Sequence, residues 1–340
     1  MTISEANLIE SLKKRVLTEP ALGLNFRDDC ARLPASPPGA ERLVTSDSLM
    51  EDIHFRRDAI SARDLGWKSL AVNLSDLASK GATPTGFFLN WSLPKDLNPD
   101  WAAEFIAGLD EAARFGACPL LGGDTTGSPG RIALSITAVG ERAGRVPWRF
   151  EGRDGDVLVV TGALGLSAMG LSVQEGEWEG LRISGQARGE SLRRHHRPEP
   201  RLREGAWLAS RVHAMMDLSD GIYHDVPRLA AASGLHFSVR AVPLAAELRT
   251  LEDMIGVNDA RAFALYGGED YELLAAVPAD EIAAISQEFV EQFGRPLHIL
   301  GELTATKSSA TSFESLGLRK PSTRFATLRF AHFAAATKED

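Results

Sequence analysis

Apolar and polar positions along this chain alternate between two periods. Short runs rich in β-branched and aromatic residues read as strands, each ended by Gly, Pro or Asp: RLVTSD around Leu43 to Asp47, FFLNWSL from Phe87, RIALSITAVG from Arg131 and DVLVVTG from Asp156. Between them the spacing turns helical. From Asp64 to Ala78, the residues Trp67, Leu70, Ala71, Leu74, Leu77 and Ala78 share one face while Asn73, Asp76 and Lys80 lie on another, and Gly81 ends the run. A second helix follows Pro99, with Trp101, Phe105, Leu109 and Ala112 as its apolar stripe and Gly116 as its stop. Further on, HFSVRAV near Phe237, YELLAAVP from Tyr271 and LHILGEL from Leu297 are strand-like. Ala279 to Phe293 is helical, with Ile282, Ile285, Phe289 and Phe293 along one side.

The pattern forms two strand-and-helix sets separated by a stretch from Gly144 to Gly155 rich in Gly, Arg and Trp, which predicts domains at 1–150 and 151–340. A length of 340 residues agrees with two domains at roughly 150 residues each. Both read as α/β or α+β. No apolar run approaches the roughly 18 residues of a membrane-spanning helix, so no membrane partner is expected. With 37 basic against 46 acidic residues, a net charge of −9, the chain has no general electrostatic attraction for nucleic acid. The opening MTISEANLIESLKKRV does not read as an export signal, and a cytoplasmic protein is expected. Cys30 and Cys118 are too few for a disulfide framework or a Cys-rich zinc site.

The candidate chemistry lies in acidic clusters set among small polar residues: RDDCA with Asp28 and Asp29, TSDSL with Asp47, NLSDLASKGA with Asp76, GGDTTG with Asp124, and DLSDG with Asp217 and Asp220. Any one of these alone reads as a helix cap or an Asx-turn. If several converge, their mutual repulsion calls for divalent cations, and hard oxygen donors fit Mg²⁺. The glycines before Asp124 could let backbone N–H groups approach a polyphosphate. Neither a P-loop sequence nor a full G-x-G-x-x-G fingerprint is present. LYGGEDYEL, with Glu269 and Asp270, is another turn with the look of a site.

In the order DDCA, TSDSLMEDIHF, KSLAVNLSDLASKGA, LLGGDTTG, MDLSDG and GGEDYEL, these motifs resemble the thiamine-monophosphate kinase family, a branch of the aminoimidazole ribonucleotide synthetase-like ATP enzymes. The resemblance implies a two-domain fold: an N-terminal α/β domain that binds ATP and Mg²⁺ and dimerises through its strands, and a C-terminal α+β domain that completes the nucleotide and substrate site. It also implies transfer of the ATP γ-phosphoryl group to thiamine monophosphate, with several Mg²⁺ ions and no covalent enzyme intermediate. Matched residue by residue, Asp29, Thr45, Ser46, Asp47, Asp76, Asp124, Asp217 and Asp220 fall on the family's metal positions. Gly123, Asp124, Arg149 and Ser219 fall on its ATP positions, and His54, Glu269 and Phe330 on its substrate positions. Two departures stand out: Arg27 where the family usually has Gly, and Phe330 where it usually has Trp or Tyr. Other ATP-dependent enzymes of the superfamily share the acidic motifs, as would a catalytically silent Mg-nucleotide-binding regulator. Product formation separates these readings.

Overall fold

A computed structural model describes residues 5–23, 33, 35–306, 313, 316 and 325. Asp29 and Phe330 lie outside the described residues. In chain order the elements are α1 (Glu5–Arg15), α2 (Pro20–Gly23), β1 (Ala40–Met50), α3 (Ala62–Ser79), β2 (Thr83–Pro94), α4 (Pro99–Phe115), β3 (Leu120–Ser128), β4 (Ala133–Ala143), β5 (Val157–Val160), α5 (Leu166–Gln174), α6 (Gly185–His196), α7 (Leu202–Leu208), β6 (Ala214–Asp217), α8 (Ile222–Ala232), β7 (His236–Val239), α9 (Ala246–Arg249), α10 (Glu252–Ile255), α11 (Val257–Tyr266), β8 (Leu273–Val277), α12 (Ile282–Phe293) and β9 (His298–Thr304). The chain divides into two compact units, Met1–Pro147 with His196–Arg211, and Trp148–His195 with Val212–Asp340.

The first unit is built on a four-stranded sheet in the order β1-β4-β2-β3, antiparallel except for the β2/β3 pair. The period of two puts Phe87, Leu89, Trp91 and Leu93 of β2 into the core, beneath α3 and α4. Ser61 caps α3, its hydroxyl accepting from Asp64 N, and Asn98 caps α4 in the same way through Asp100 N. The sequence pattern predicts a one-sided α3, but the helix is enclosed. It packs on β1, β2 and β4, on α4 and on α7, so that between Lys68 and Ser79 only Asp76 keeps partial exposure. The return of α7 to this unit is carried by tertiary contacts: Trp67 Nε1 donates to Pro198 O at 2.7 Å, and Arg197 pairs with Asp64 and Glu111.

LLGGDTTGS, whose glycines could let backbone N–H groups approach a polyphosphate, forms the edge strand β3. Its Gly123 has φ +149°, and a Cβ there would stand 1.8 Å from Leu89 O, so only glycine allows the strand to close on β2. The second unit carries a five-stranded antiparallel sheet in the order β6-β8-β5-β9-β7. Against it α5, α8 and α11 bury Met169, Val173, Ile222, Val226, Leu229 and Phe263.

Candidate active site

In the first unit the chemistry gathers where β1 meets α3. Alternate residues of β1 face the helix, so Thr45 and Asp47 turn toward it while Val44, Ser46, Ser48 and Met50 are exposed on the opposite face. Asn73 Oδ1 accepts from Asp47 N at 3.1 Å, and the Thr45 hydroxyl donates to Asp76 Oδ2. The Asp47 and Asp76 side chains are themselves in hydrogen-bond contact. Burial first, then the Asp76 charge and the contact with it, push the Asp47 carboxyl up to about 6. Two carboxylates held together at a site walled by the sheet and an enclosed helix are what a cation would relieve.

The donor set here is all oxygen, which suits Mg²⁺. Among the described residues no group of three or more His, Cys, Asp and Glu side chains is gathered to hold a metal ion. A pair of carboxylates with the remaining positions filled by phosphate and water oxygens is nevertheless a usual way to bind Mg²⁺, so the residues present fit the ion.

His54 follows in a tight turn after β1. Its Nδ1 accepts from Met50 N at 3.0 Å, which puts the ring proton of the neutral form on Nε2. The turn is fixed by Glu51, a buried carboxylate held bidentately by Arg57 at 2.8 Å through both oxygens and accepting Ile132 N at 2.8 Å.

Asp124 stands apart from this group. The pairing Ser48↔Ser135, Ser135↔Asn90 and Asn90↔Asp124 puts its side chain on the face opposite Asp47, which lies in the adjacent row with Ile136, Leu89 and Gly123. Three strand spacings, about 14 Å, separate β1 from β3. One chain does not bring Asp124 to Asp47.

In the second unit the LSDG and GGED turns lie against each other. Asp217 ends β6 and is buried. Ser219 O accepts from Glu269 N at 2.8 Å, and Leu218 O accepts from Tyr271 N at 3.0 Å. Gly221 has φ +87°, and a Cβ there would come within 2.4 Å of Gly267 O, so the close approach of the two turns requires glycine. The Asp220 carboxylate receives Arg228, and its backbone N–H donates to the buried Asp225 at 3.0 Å. Arg149 is exposed in the turn that opens this unit.

A cavity of about 240 Å³ opens within the second unit, lined by Thr161, Ser167, Arg194, Glu247, Glu269, Glu272 and their neighbours. At its wall Asp270 accepts Gly165 N at 2.7 Å and Ser167 N at 3.3 Å, capping α5, and burial pushes its carboxyl up to about 7. His195 on α6 lies 3.1 Å from Glu269 through Nδ1. Sequence reasoning misses His195, Asn73 and the capping role of Asp270, because each acts on a residue distant in sequence or on a buried helix face.

Two sets of strands and helices with acidic turns define a two-domain enzyme of the AIR synthase type. The family description "AIR synthase related protein, N-terminal domain" matches residues 27–142, and "AIR synthase related protein, C-terminal domain" matches residues 153–313. The thiamine-monophosphate kinase of Synechococcus elongatus is 35% identical over 287 residues, 82% of this chain and 84% of its own length. In structure the chain is similar to the thiamine-monophosphate kinase of Stenotrophomonas maltophilia K279a, with a TM-score of 0.77, 34% identity and coverage of 91% and 96% of the two chains. It is also similar to AaThiL complexed with AMPPCP and TMP, with a TM-score of 0.73, 30% identity and coverage of 93% and 95%. The chain belongs to the thiamine-monophosphate kinase family, within the AIR synthase-related fold expected from its motifs.

Proposed function

We propose that this protein transfers the γ-phosphoryl group of ATP to thiamine monophosphate, giving thiamine diphosphate and ADP. The observation that carries the reading is the Asp47–Asp76 pair between β1 and α3, in a chain of this family. The relative complexed with AMPPCP, an ATP analogue, and TMP supports the same pair of substrates.

Asp47 and Asp76, with Thr45 beside them and Ser46, Asp29, Asp217 and Asp220 as further family positions, would hold Mg²⁺. Bound there, Mg²⁺ neutralises charge on the phosphates, which otherwise repel one another. Gly123, Asp124, Arg149 and Ser219 are assigned to the nucleotide. Arg149 suits a phosphate, since its planar guanidinium is always charged and donates in pairs. His54 donates Nε2–H to the acceptor phosphate, Glu269 accepts from the substrate, and Phe330 offers an aromatic face to its cationic ring. The acceptor oxygen is already anionic near neutral pH, so no general base is needed. The His54 ring uses its Nδ1 lone pair on Met50 N and carries a proton on Nε2, which leaves it suited to binding phosphate rather than attacking it. Transfer is therefore direct, with no covalent intermediate on the protein.

The working form is a homodimer located in the cytoplasm. The face of β1 turned away from α3 exposes Val44 at 63% and Met50 at 38%, and β1 is an edge of the four-stranded sheet, whereas the start of β3 is bridged by Thr18. A second copy against this face would cover Val44 and Met50, and Asp124, which points from the same face, would lie at that interface. The test of the activity is a substrate panel of thiamine, thiamine monophosphate and aminoimidazole precursors with ATP and Mg²⁺. Thiamine diphosphate is the expected product. Turnover of another acceptor by folded protein, with none on thiamine monophosphate, would refute the assignment.

A further inference from the structure

Glu269 is held by more than its own turn. Its backbone has φ +64° and Tyr271 has φ +49°, left-handed conformations that non-glycine residues adopt at a cost of about 1 kcal/mol or more and keep only when the surroundings enforce them. The enforcement is visible. Glu269 N and Tyr271 N donate to Ser219 O and Leu218 O, and the Asp270 carboxylate takes the first N–H groups of α5. These bonds fix the Glu269 backbone but leave three side-chain torsions to set the direction of its carboxylate. That direction is met by a different element. His195, only 5% exposed on α6, brings Nδ1 to 3.1 Å from Glu269 Oε2, and Ser167 Oγ lies 3.3 Å from the same nitrogen. An ionised carboxylate only accepts, so of the two neighbours of Nδ1, Glu269 is one to which it can only donate, while the Ser167 hydroxyl can donate or accept.

We propose that His195 is a positioning residue for substrate binding: its buried Nδ1–H orients the Glu269 carboxylate toward the substrate, while His195 itself makes no substrate contact. The proposal rests on the reading of Glu269 as a thiamine-monophosphate contact. It predicts that His195 acts on binding only through Glu269, which a merely structural histidine would not do.

The experiment compares His195→Phe, which keeps a ring without a donor, with His195→Asn, whose amide nitrogen can stand near the position of Nδ1. Each is made alone and combined with Glu269→Ala, and KM for thiamine monophosphate, KM for ATP, kcat and melting temperature are measured on the full chain. His195→Phe should raise KM for thiamine monophosphate about tenfold, with KM for ATP within about twofold of wild type. His195→Asn should restore KM to within about threefold of wild type, and neither substitution should change KM further in the Glu269→Ala background. An unchanged KM for thiamine monophosphate in His195→Phe, a parallel rise in both KM values, no rescue by Asn, or additivity with Glu269→Ala would each overturn the proposal. Wild-type protein with no turnover of thiamine monophosphate would overturn the functional reading and this inference with it, whereas an active wild type with additive effects overturns the inference alone.

Discussion

Replacing Asp47 with Asn should move stability and activity in opposite directions. In the metal-free protein the Asp47 carboxyl is raised from 3.8 to about 6, chiefly by burial and then by Asp76. At 1.36 kcal/mol per unit, keeping Asp47 ionised at neutral pH costs the folded state about 3 kcal/mol. Asparagine removes the charge and can donate its amide to Asp76, although it remains a buried polar group, so about half of that cost, 1–2 kcal/mol, should be recovered. At about 2–4 °C per kcal/mol for a domain of this size, melting in EDTA should rise by roughly 2–8 °C. The gain should be full above pH 6 and fall by about half at pH 5, because a raised carboxyl is already largely protonated in the folded state there while the unfolded chain still ionises. Added Mg²⁺ should stabilise the wild type more than the variant. Turnover should fall at least a hundredfold, about 2.7 kcal/mol of transition-state stabilisation. Calorimetry at two pH values, with and without Mg²⁺, alongside steady-state kinetics, makes the measurement. A variant less stable than wild type in EDTA, or one with near-normal kcat at saturating Mg²⁺, would refute the reasoning.

Three further outcomes are expected. Asp124→Asn should lower turnover at least about a hundredfold while leaving the fold intact, and near-normal kcat at saturating Mg²⁺ would show that this carboxylate does not serve the nucleotide or its metal. His54→Ala should raise KM for thiamine monophosphate by tenfold or more and leave KM for ATP near wild type, and equal losses in both would remove His54 from the substrate site. Gly123→Ala should destabilise the first unit by about 3 kcal/mol or more, since its Cβ would fall 1.8 Å from Leu89 O, and unchanged urea unfolding would show that β3 sits differently against β2.

The strands β1, β2 and β4 were legible because their apolar residues alternate against a single core. The strand β3 was not, because Gly122, Gly123 and Gly127 erase the alternation and leave a motif that equally describes a loop. The helical period of α3 was clear, yet its polar face misled: Asn73 is buried because it accepts a strand N–H from β1, a partner 26 residues away. Trp67 and Arg197 bring α7 back to the first unit by contacts more than 130 residues apart in sequence, which no local pattern signals. The same limit applies at the site. Motif order marked Asp47, Asp76 and Glu269, but the cap that Asp270 places on α5 spans 105 residues and the His195–Glu269 contact 74, and both exist only once the second unit has folded.

The account stands or falls on direct transfer from ATP to the phosphate of thiamine monophosphate. A rapid-quench single turnover with γ-labelled ATP, Mg²⁺ and enzyme in excess over nucleotide tests it most directly. Label should appear in the terminal phosphate of thiamine diphosphate at the rate at which ADP forms, with none on the protein in acid or base, and chiral label should show inversion at phosphorus. Stoichiometric labelling of the protein, or net retention, would contradict it.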